Sequence, residues 1–148
     1  MKNLKVSVTG CSLADFLYAD IDFNSPAFRE CASRQDGDGG LMEGKLIFAD
    51  ALEKFKGKPY AELLQSITGG KAPTVKNLGG PAIVGAINAA QILSDCPVKF
   101  DFYGATGDDE SGHFLRSVIA GTPVNTEHYL TLKGSTPCTD VLSDPRAH

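Results

Sequence analysis

Asn77-Leu78-Gly79-Gly80-Pro81-Ala82 runs directly into the apolar stretch Ile83 to Leu93, and the joint between the two decides how the chain is read. Proline suits the first position of a helix, where its missing N–H would have no partner anyway. The segment after it is apolar on all sides, as a buried helix is, with Asn88 and Gln91 as its main polar members. Two glycines before the proline permit backbone angles and close approaches that other residues forbid. The expected product is a helix over residues 81–94 with a bare N-terminus, free N–H groups and the positive end of a dipole. Such an end suits a phosphate or a row of hydroxyls. A second glycine-rich stretch, Gly104-Ala105-Thr106-Gly107-Asp108-Asp109-Glu110-Ser111-Gly112, reads as another turn leading into a helix.

Working outward, Leu4 to Thr9 alternates loosely and predicts a strand ending at Gly10, and residues 15–22 predict a second strand. Residues 24–44 are irregular, with Asp36-Gly37-Asp38-Gly39-Gly40 as a loop. Residues 44–49 predict a short strand. Tyr60 to Ile67 has helical spacing, closed by Gly69-Gly70. Val98 to Tyr103 alternates as a strand. Ser111 to Ala120 predicts a helix with Phe114, Leu115, Val118 and Ile119 on its apolar face and Asp108 or Asp109 as its cap. Residues 129–133 and 138–142 predict further strands. Strand, helix, strand, helix implies an α/β fold with a parallel sheet and right-handed crossovers.

Composition narrows the classes. The chain has 148 residues, enough for one domain with its own core, and is 42% hydrophobic and 22% charged. A net charge of −4 argues against a nucleic-acid or anionic-membrane surface. No apolar run approaches the roughly 20 residues of a membrane span. The N-terminus lacks a signal-peptide cleavage pattern, so a cytoplasmic location is expected. Cys11, Cys31, Cys96 and Cys138 form no C-x-x-C pair and read as reduced thiols rather than zinc ligands. Asp36 and Asp38 lack the other ligands of an EF-hand loop, and His113 and His128 have no nucleophile motif beside them.

Taken in order, four pieces resemble the N-terminal half of the ribokinase-type (PfkB) carbohydrate kinases, a family that includes adenosine kinase. They are Val6-Ser7-Val8-Thr9-Gly10 followed by Cys11 to Asp15, then Gly79-Gly80 before the long helix, then Phe102 to Asp109 with Gly112 to Leu115, and finally Pro137 to Leu142. The resemblance covers residues 4–16 and 77–144. It implies a ribokinase-like, Rossmann-like parallel sheet flanked by helices, with a small β-rich lid. The lid would fall within residues 17–50 and would be the place of any homodimer contact. Residues 51–76 are an extra segment without a counterpart.

The resemblance also implies an ATP-dependent kinase acting on a hydroxyl of a sugar or nucleoside, with ATP and Mg2+ as cofactors. Asp15, Gly79 and Gly80 become the substrate-binding residues. Gly104, Gly107, Asp108 and Gly112 become a structural signature. The family's catalytic aspartate and nucleotide half lie in a C-terminal half that these residues do not match, so no catalytic or metal residue is assigned here. Two positions depart from the family: Leu13 stands where an Asn is usual, and Ile83, Val84 and Gly85 occupy a region that usually holds another. The acceptor's identity stays open on those grounds. A dinucleotide-binding domain is the competing enzyme class, but it needs G-x-G-x-x-G after the first strand, where this chain has Gly10-Cys11-Ser12-Leu13-Ala14-Asp15. The non-enzyme alternative is a sugar- or nucleoside-binding half-domain without catalysis.

Overall fold

The computed structural model describes residues 4–146. The chain forms two compact units. The first comprises the residues up to Leu17 together with Val75–Val141, and the second comprises Tyr18–Thr74 and the chain from Leu142 onward.

In the first unit β1 (Leu4–Thr9), β4 (Val98–Gly107) and β5 (Tyr129–Leu132) form a sheet in the order β1-β4-β5. Both pairings are parallel, with Val6 opposite Phe100, Val8 opposite Phe102 and Gly104 opposite Tyr129. Parallel neighbours need a crossover, and α4 (Pro81–Ile92) and α5 (Glu110–Ala120) supply the helices. The parallel sheet flanked by helices is therefore as the sequence predicts. Its core is Ile83, Ala86 and Ala90 of α4, Phe100 and Phe102 of β4, Ile119 of α5, Val124 and Tyr129. Phe102, Ile83, Leu115 and Ile119 are wholly buried. Small residues on α4 let the helix lie close to the strands; a Cβ on Gly10 would stand 2.5 Å from Ala82 Cβ.

A second three-stranded sheet has the order β3-β2-β6, from β2 (Leu13–Tyr18), β3 (Val75–Gly79) and β6 (Cys138–Leu142). The sequence reading differs here in several places. The second strand, expected over residues 15–22, begins at Leu13 and ends at Tyr18, so Asp15 lies inside it and not at its start. Cys138–Leu142 joins this small sheet and not the parallel one; the backbone N–H of Ala14 donates to Pro137 O at 3.0 Å beside it. β4 continues through Gly104 to Gly107, so of the glycine stretch read as a turn only Asp108 and Asp109 form the turn, and Glu110 already opens α5.

The small sheet is not built from residues 17–50, where the β-rich lid is expected. Beyond Tyr18 that segment holds α1 (Pro26–Cys31), loops and the start of α2 (Ala49–Lys56); among its described residues the sole β-pairing past Tyr18 is the isolated Ala32–Leu41 bridge. The reasons are local. Ser25 caps α1 by accepting the Phe28 N–H at 3.2 Å, and Pro26 sits in its first turn. Asp38 accepts the N–H groups of Arg34 and Gly40 at 2.7 and 2.9 Å, which curls the 34–40 loop on itself. Residues 44–49, expected as a strand, join no β-ladder among the described residues: residues 45–48 carry no regular structure, Ala49 opens α2, and Leu46 and Phe48 are exposed. The unplaced residues 51–76 are α2, α3 (Tyr60–Thr68) and β3. In the second unit α1, α2 and α3 pack around Phe28, Cys31, Leu52, Leu63 and Ile67. Glu53 of α2 accepts the Tyr60 N–H at 2.7 Å and ties α2 to α3. Gly57 and Gly69 close those helices in the left-handed conformation.

The β4–α5 joint is fixed by a polar knot. Asp109 caps α5 through the Gly112 N–H at 2.8 Å. It also accepts the Thr136 N–H at 2.9 Å and the Thr136 hydroxyl at 2.5 Å. With its one proton committed to Asp109, Thr136 Oγ1 accepts from the Gly107 N–H and from Thr106 Oγ1, both at 3.1 Å. Gly107 and Gly112 are glycine because there is no room for more. A Cβ on Gly107 would overlap Gly134 O, and one on Gly112 would overlap Gly107 O. Asp108 accepts the Gly134 N–H at 3.0 Å.

Two outcomes follow from this packing. Phe102→Ala should cost about 3–5 kcal/mol in urea unfolding followed by circular dichroism, because a large side chain is lost from a closed core. Leu130→Ala, 56% exposed on β5, should stay within about 0.5 kcal/mol of wild type. The bonds from the Thr136 hydroxyl, then the Thr136 and Gly112 N–H groups, hold Asp109 down to about 2. A depressed carboxylate stabilises the fold above its ordinary pKa of about 3.9, and that contribution disappears as pH falls through about 2. Thr136→Val should move the Asp109 carboxyl titration, read by NMR, back toward the ordinary value.

Candidate functional site

β3 ends at Gly79, α4 begins at Pro81, and Gly80 joins them. Gly80 has φ 103°, which disfavours side chains, and a Cβ there would stand 2.5 Å from Cys11 O. It caps α4 without a side chain. The first intrahelical bond runs from the Val84 N–H to Gly80 O at 3.1 Å. Pro81 has no N–H, and those of Ala82 and Ile83 have no protein acceptor among the described residues. No acidic residue occupies the first turn. The bare helix end read from the sequence is present.

Asp15 comes to this end from β2. The antiparallel register sets Leu13 opposite Gly79 and Asp15 opposite Asn77. The Asp15 carboxyl leans over Gly79: a Cβ on Gly79 would overlap Oδ2 and stand 2.6 Å from the carboxyl carbon and 2.7 Å from Leu13 Cδ1. Asp15 is half-buried, and its carboxylate makes no hydrogen bond or ion pair among the described residues. The structure thus brings Asp15 to Gly79 and Gly80, a pair 64 and 65 positions further along the chain. It pairs an unused acceptor with unused donors on one unit of the fold. Two adjacent hydroxyls fit that arrangement: both donate to the carboxylate, and their lone pairs take N–H bonds. Charge-assisted bonds of this kind are the stronger ones.

The opposite side of the β2–β3 ladder is closed to such a ligand. Lys76 Nζ lies 5.4 Å from the centre of the Phe16 ring and 4.9 Å from that of Phe114, and 3.8 Å from Glu110 Oε1. Its charge is spent on two aromatic faces and α5. The sequence reading missed this lysine, since its partners come from β2 and α5.

The remaining candidates sit in the scaffold. Gly104, Gly107, Asp108 and Gly112 belong to β4 and the knot that holds α5, and of Asp108 and Asp109 it is Asp109 that caps the helix. His113 is exposed, and His128 stacks on Tyr103 with ring centres 4.4 Å apart. Near the site, the Ser12 hydroxyl and Tyr129 OH share a buried bond of 2.7 Å, which anchors the β1–β2 turn to β5. All four cysteines are free, and only Cys31 is buried. No described helix is long and apolar enough to cross a membrane. Among the described residues no three His, Cys, Asp or Glu side chains converge to hold a metal ion. Asp108 and Asp109 are engaged by Gly134, Thr136 and Gly112. These residues therefore do not fit a Mg2+ site.

The comparisons with known proteins bear on the fold. A ribokinase from Cryptococcus neoformans var. grubii serotype A, solved in complex with ADP, superposes with a TM-score of 0.54 at 16% identity, over 98% of this chain and 32% of its own. A protein assigned as a ribokinase from Agrobacterium tumefaciens gives a TM-score of 0.50 at 16% identity, over 99% of this chain and 34% of its own. The chain spans about a third of the length of these structures. No protein-family model and no curated protein matches the sequence. The α/β fold reached here from β1, α4, β4, α5 and β5 is thus the ribokinase-like fold, over the part of it that these residues cover.

Proposed function

We propose that this chain carries the acceptor-binding part of an ATP-dependent sugar kinase, and that it holds a sugar or nucleoside by two neighbouring hydroxyls. The observation that carries the reading is the Asp15 carboxylate lying over Gly79 beside the bare N-terminus of α4. In this reading Asp15 accepts from both hydroxyls, and the N–H groups at the Gly79–Gly80 joint and the start of α4 donate back. Open α/β sheets place ligands beyond the carboxyl ends of their strands, and β1 reaches this corner through Gly10, which abuts Ala82 of α4.

Phosphoryl transfer is mainly positioning and charge stabilisation, and the reading assigns no residue of this chain to ATP, Mg2+ or the catalytic base. The 148-residue chain is accordingly a binding half-domain when studied alone. The non-catalytic alternative differs only in whether a partner segment completes the enzyme. Beyond Tyr18 the 17–50 segment carries no strand ladder among the described residues, so no β-strand homodimer contact is proposed there.

Asp15→Ala should weaken the preferred sugar or nucleoside at least about tenfold in calorimetric titration, because charged hydrogen bonds contribute roughly 1.5–3 kcal/mol each. The unsubstituted 148-residue chain should show no sugar-dependent ATP hydrolysis above a contaminant control. Unchanged affinity in Asp15→Ala would make Asp15 a structural residue and remove the reading.

A further inference from the structure

The Asp15 side of the β2–β3 ladder carries a second polar side chain. Residues two apart in a strand share a side, so Leu13, Asp15 and Leu17 of β2 stand with Val75, Asn77 and Gly79 of β3. Asp15 and Asn77 are the two polar members of that row, and they are direct cross-strand partners. Such partners have Cβ atoms about 4.5–5.5 Å apart. Asn77 is exposed, and its amide has no protein partner among the described residues. Neither group is used to hold the fold.

The chemistry of the two is complementary. An ionised aspartate only accepts, whereas an asparagine amide both donates and accepts. When two hydroxyls give their protons to Asp15, each oxygen still offers lone pairs. The N–H groups of α4 meet that need on one flank, where the carboxyl leans over Gly79. On the other flank, the cross-strand neighbour of Asp15 is Asn77, with its amide. Leu13, the remaining side chain at Gly79, is apolar and can only shape the wall. The row also lacks a cation: Lys76 points to the opposite side, between Phe16 and Phe114. An anionic ligand would meet the Asp15 charge there with no cation on the row to offset it.

We propose that Asn77 is a specificity-determining residue of the acceptor site, its amide pairing with a hydroxyl of an uncharged vicinal diol held by Asp15. The assignment rests on the acceptor-site reading above. It narrows the ligand class to neutral sugars and nucleosides, and it disfavours sugar acids and sugar phosphates whose charge would lie on the Asp15 row.

The test uses the whole 148-residue chain and calorimetric titration with D-ribose, D-fructose and adenosine as neutral diols, and with D-gluconate and ribose 5-phosphate as anionic ones. Asn77→Leu keeps the size and removes the amide; being exposed, it should leave the melting curve in place. It should weaken the best neutral ligand about fivefold or more, the effect of one neutral hydrogen bond. Asn77→Gln should recover part of that loss, and the Asn77→Leu effect should shrink in an Asp15→Ala background, since both act on the same diol. The anionic ligands should bind at least about tenfold more weakly than the neutral one. If Asp15→Ala weakens binding and Asn77→Leu does not, the Asn77 assignment is overturned while the acceptor site stands. If wild type binds none of the neutral probes, or binds them equally well without Asp15, the acceptor site and this assignment fall together. Preference for an anionic probe overturns the assigned ligand class.

Discussion

The handover from β3 to α4 depends on two successive residues without side chains. At Gly79 the space a Cβ would need is filled by the Asp15 carboxyl and Leu13, and at Gly80 it is filled by the Cys11 carbonyl. A side chain at either position would push β2 away from β3 or the β1–β2 turn away from α4. The same two absences give the site its character. They let a carboxylate lie against a backbone, and they start a helix with no side-chain cap. Close packing and chemical openness thus have a single origin here.

A comparable constraint operates at the other end of β4. Asp109, Thr136 and the backbone of Gly107 and Gly112 form one connected set of bonds in which every proton has a defined direction. The buried hydroxyl of Thr136 joins a charged acceptor on one side to two donors on the other. Buried polar groups that are fully paired specify one arrangement of the chain, and here they fix where α5 starts relative to β4. Glycines at 107 and 112 are a condition of that knot, and their part in function is indirect: they hold the scaffold on which the Asp15 corner is built.

The second unit obeys different physics. Its three short helices close over Phe28, Cys31, Leu52, Leu63 and Ile67, and its last residues are tied back by charge. Arg146 bonds Asp144 at 3.1 Å and Asp22 at 2.5 Å, while Ile21 and Ser143 pair through their backbones at 2.9 Å. The guanidinium, above all, drives the Asp144 carboxyl well below the usual carboxylate range. The family resemblance and the short strand-like runs at 15–22 and 44–49 predict a β-rich lid within residues 17–50, but a strand exists only where another strand can pair with it. Ser25-Pro26 and the αL glycines at 57 and 69 act locally and need no partner, so helices form instead.

By itself, the sequence determined the elements whose signals are local. The helix behind Pro81, its glycine pair, the alternation of Val98 to Tyr103 and the cap before Ser111 are legible there, because periodicity, proline and glycine act within a few residues; Asp15 is singled out by the family resemblance alone. Strand membership was decided only by tertiary structure. Cys138–Leu142 pairs in the small sheet and not in the parallel one, β2 runs over Leu13–Tyr18 rather than residues 15–22, and β4 extends into a stretch that reads as a turn. Strand pairing is a contact between distant segments, and composition carries no record of the partner. For the same reason Asn77 escaped the sequence reading: nothing in the residues around it marks it, and only the register that sets it opposite Asp15 gives it a place beside the site.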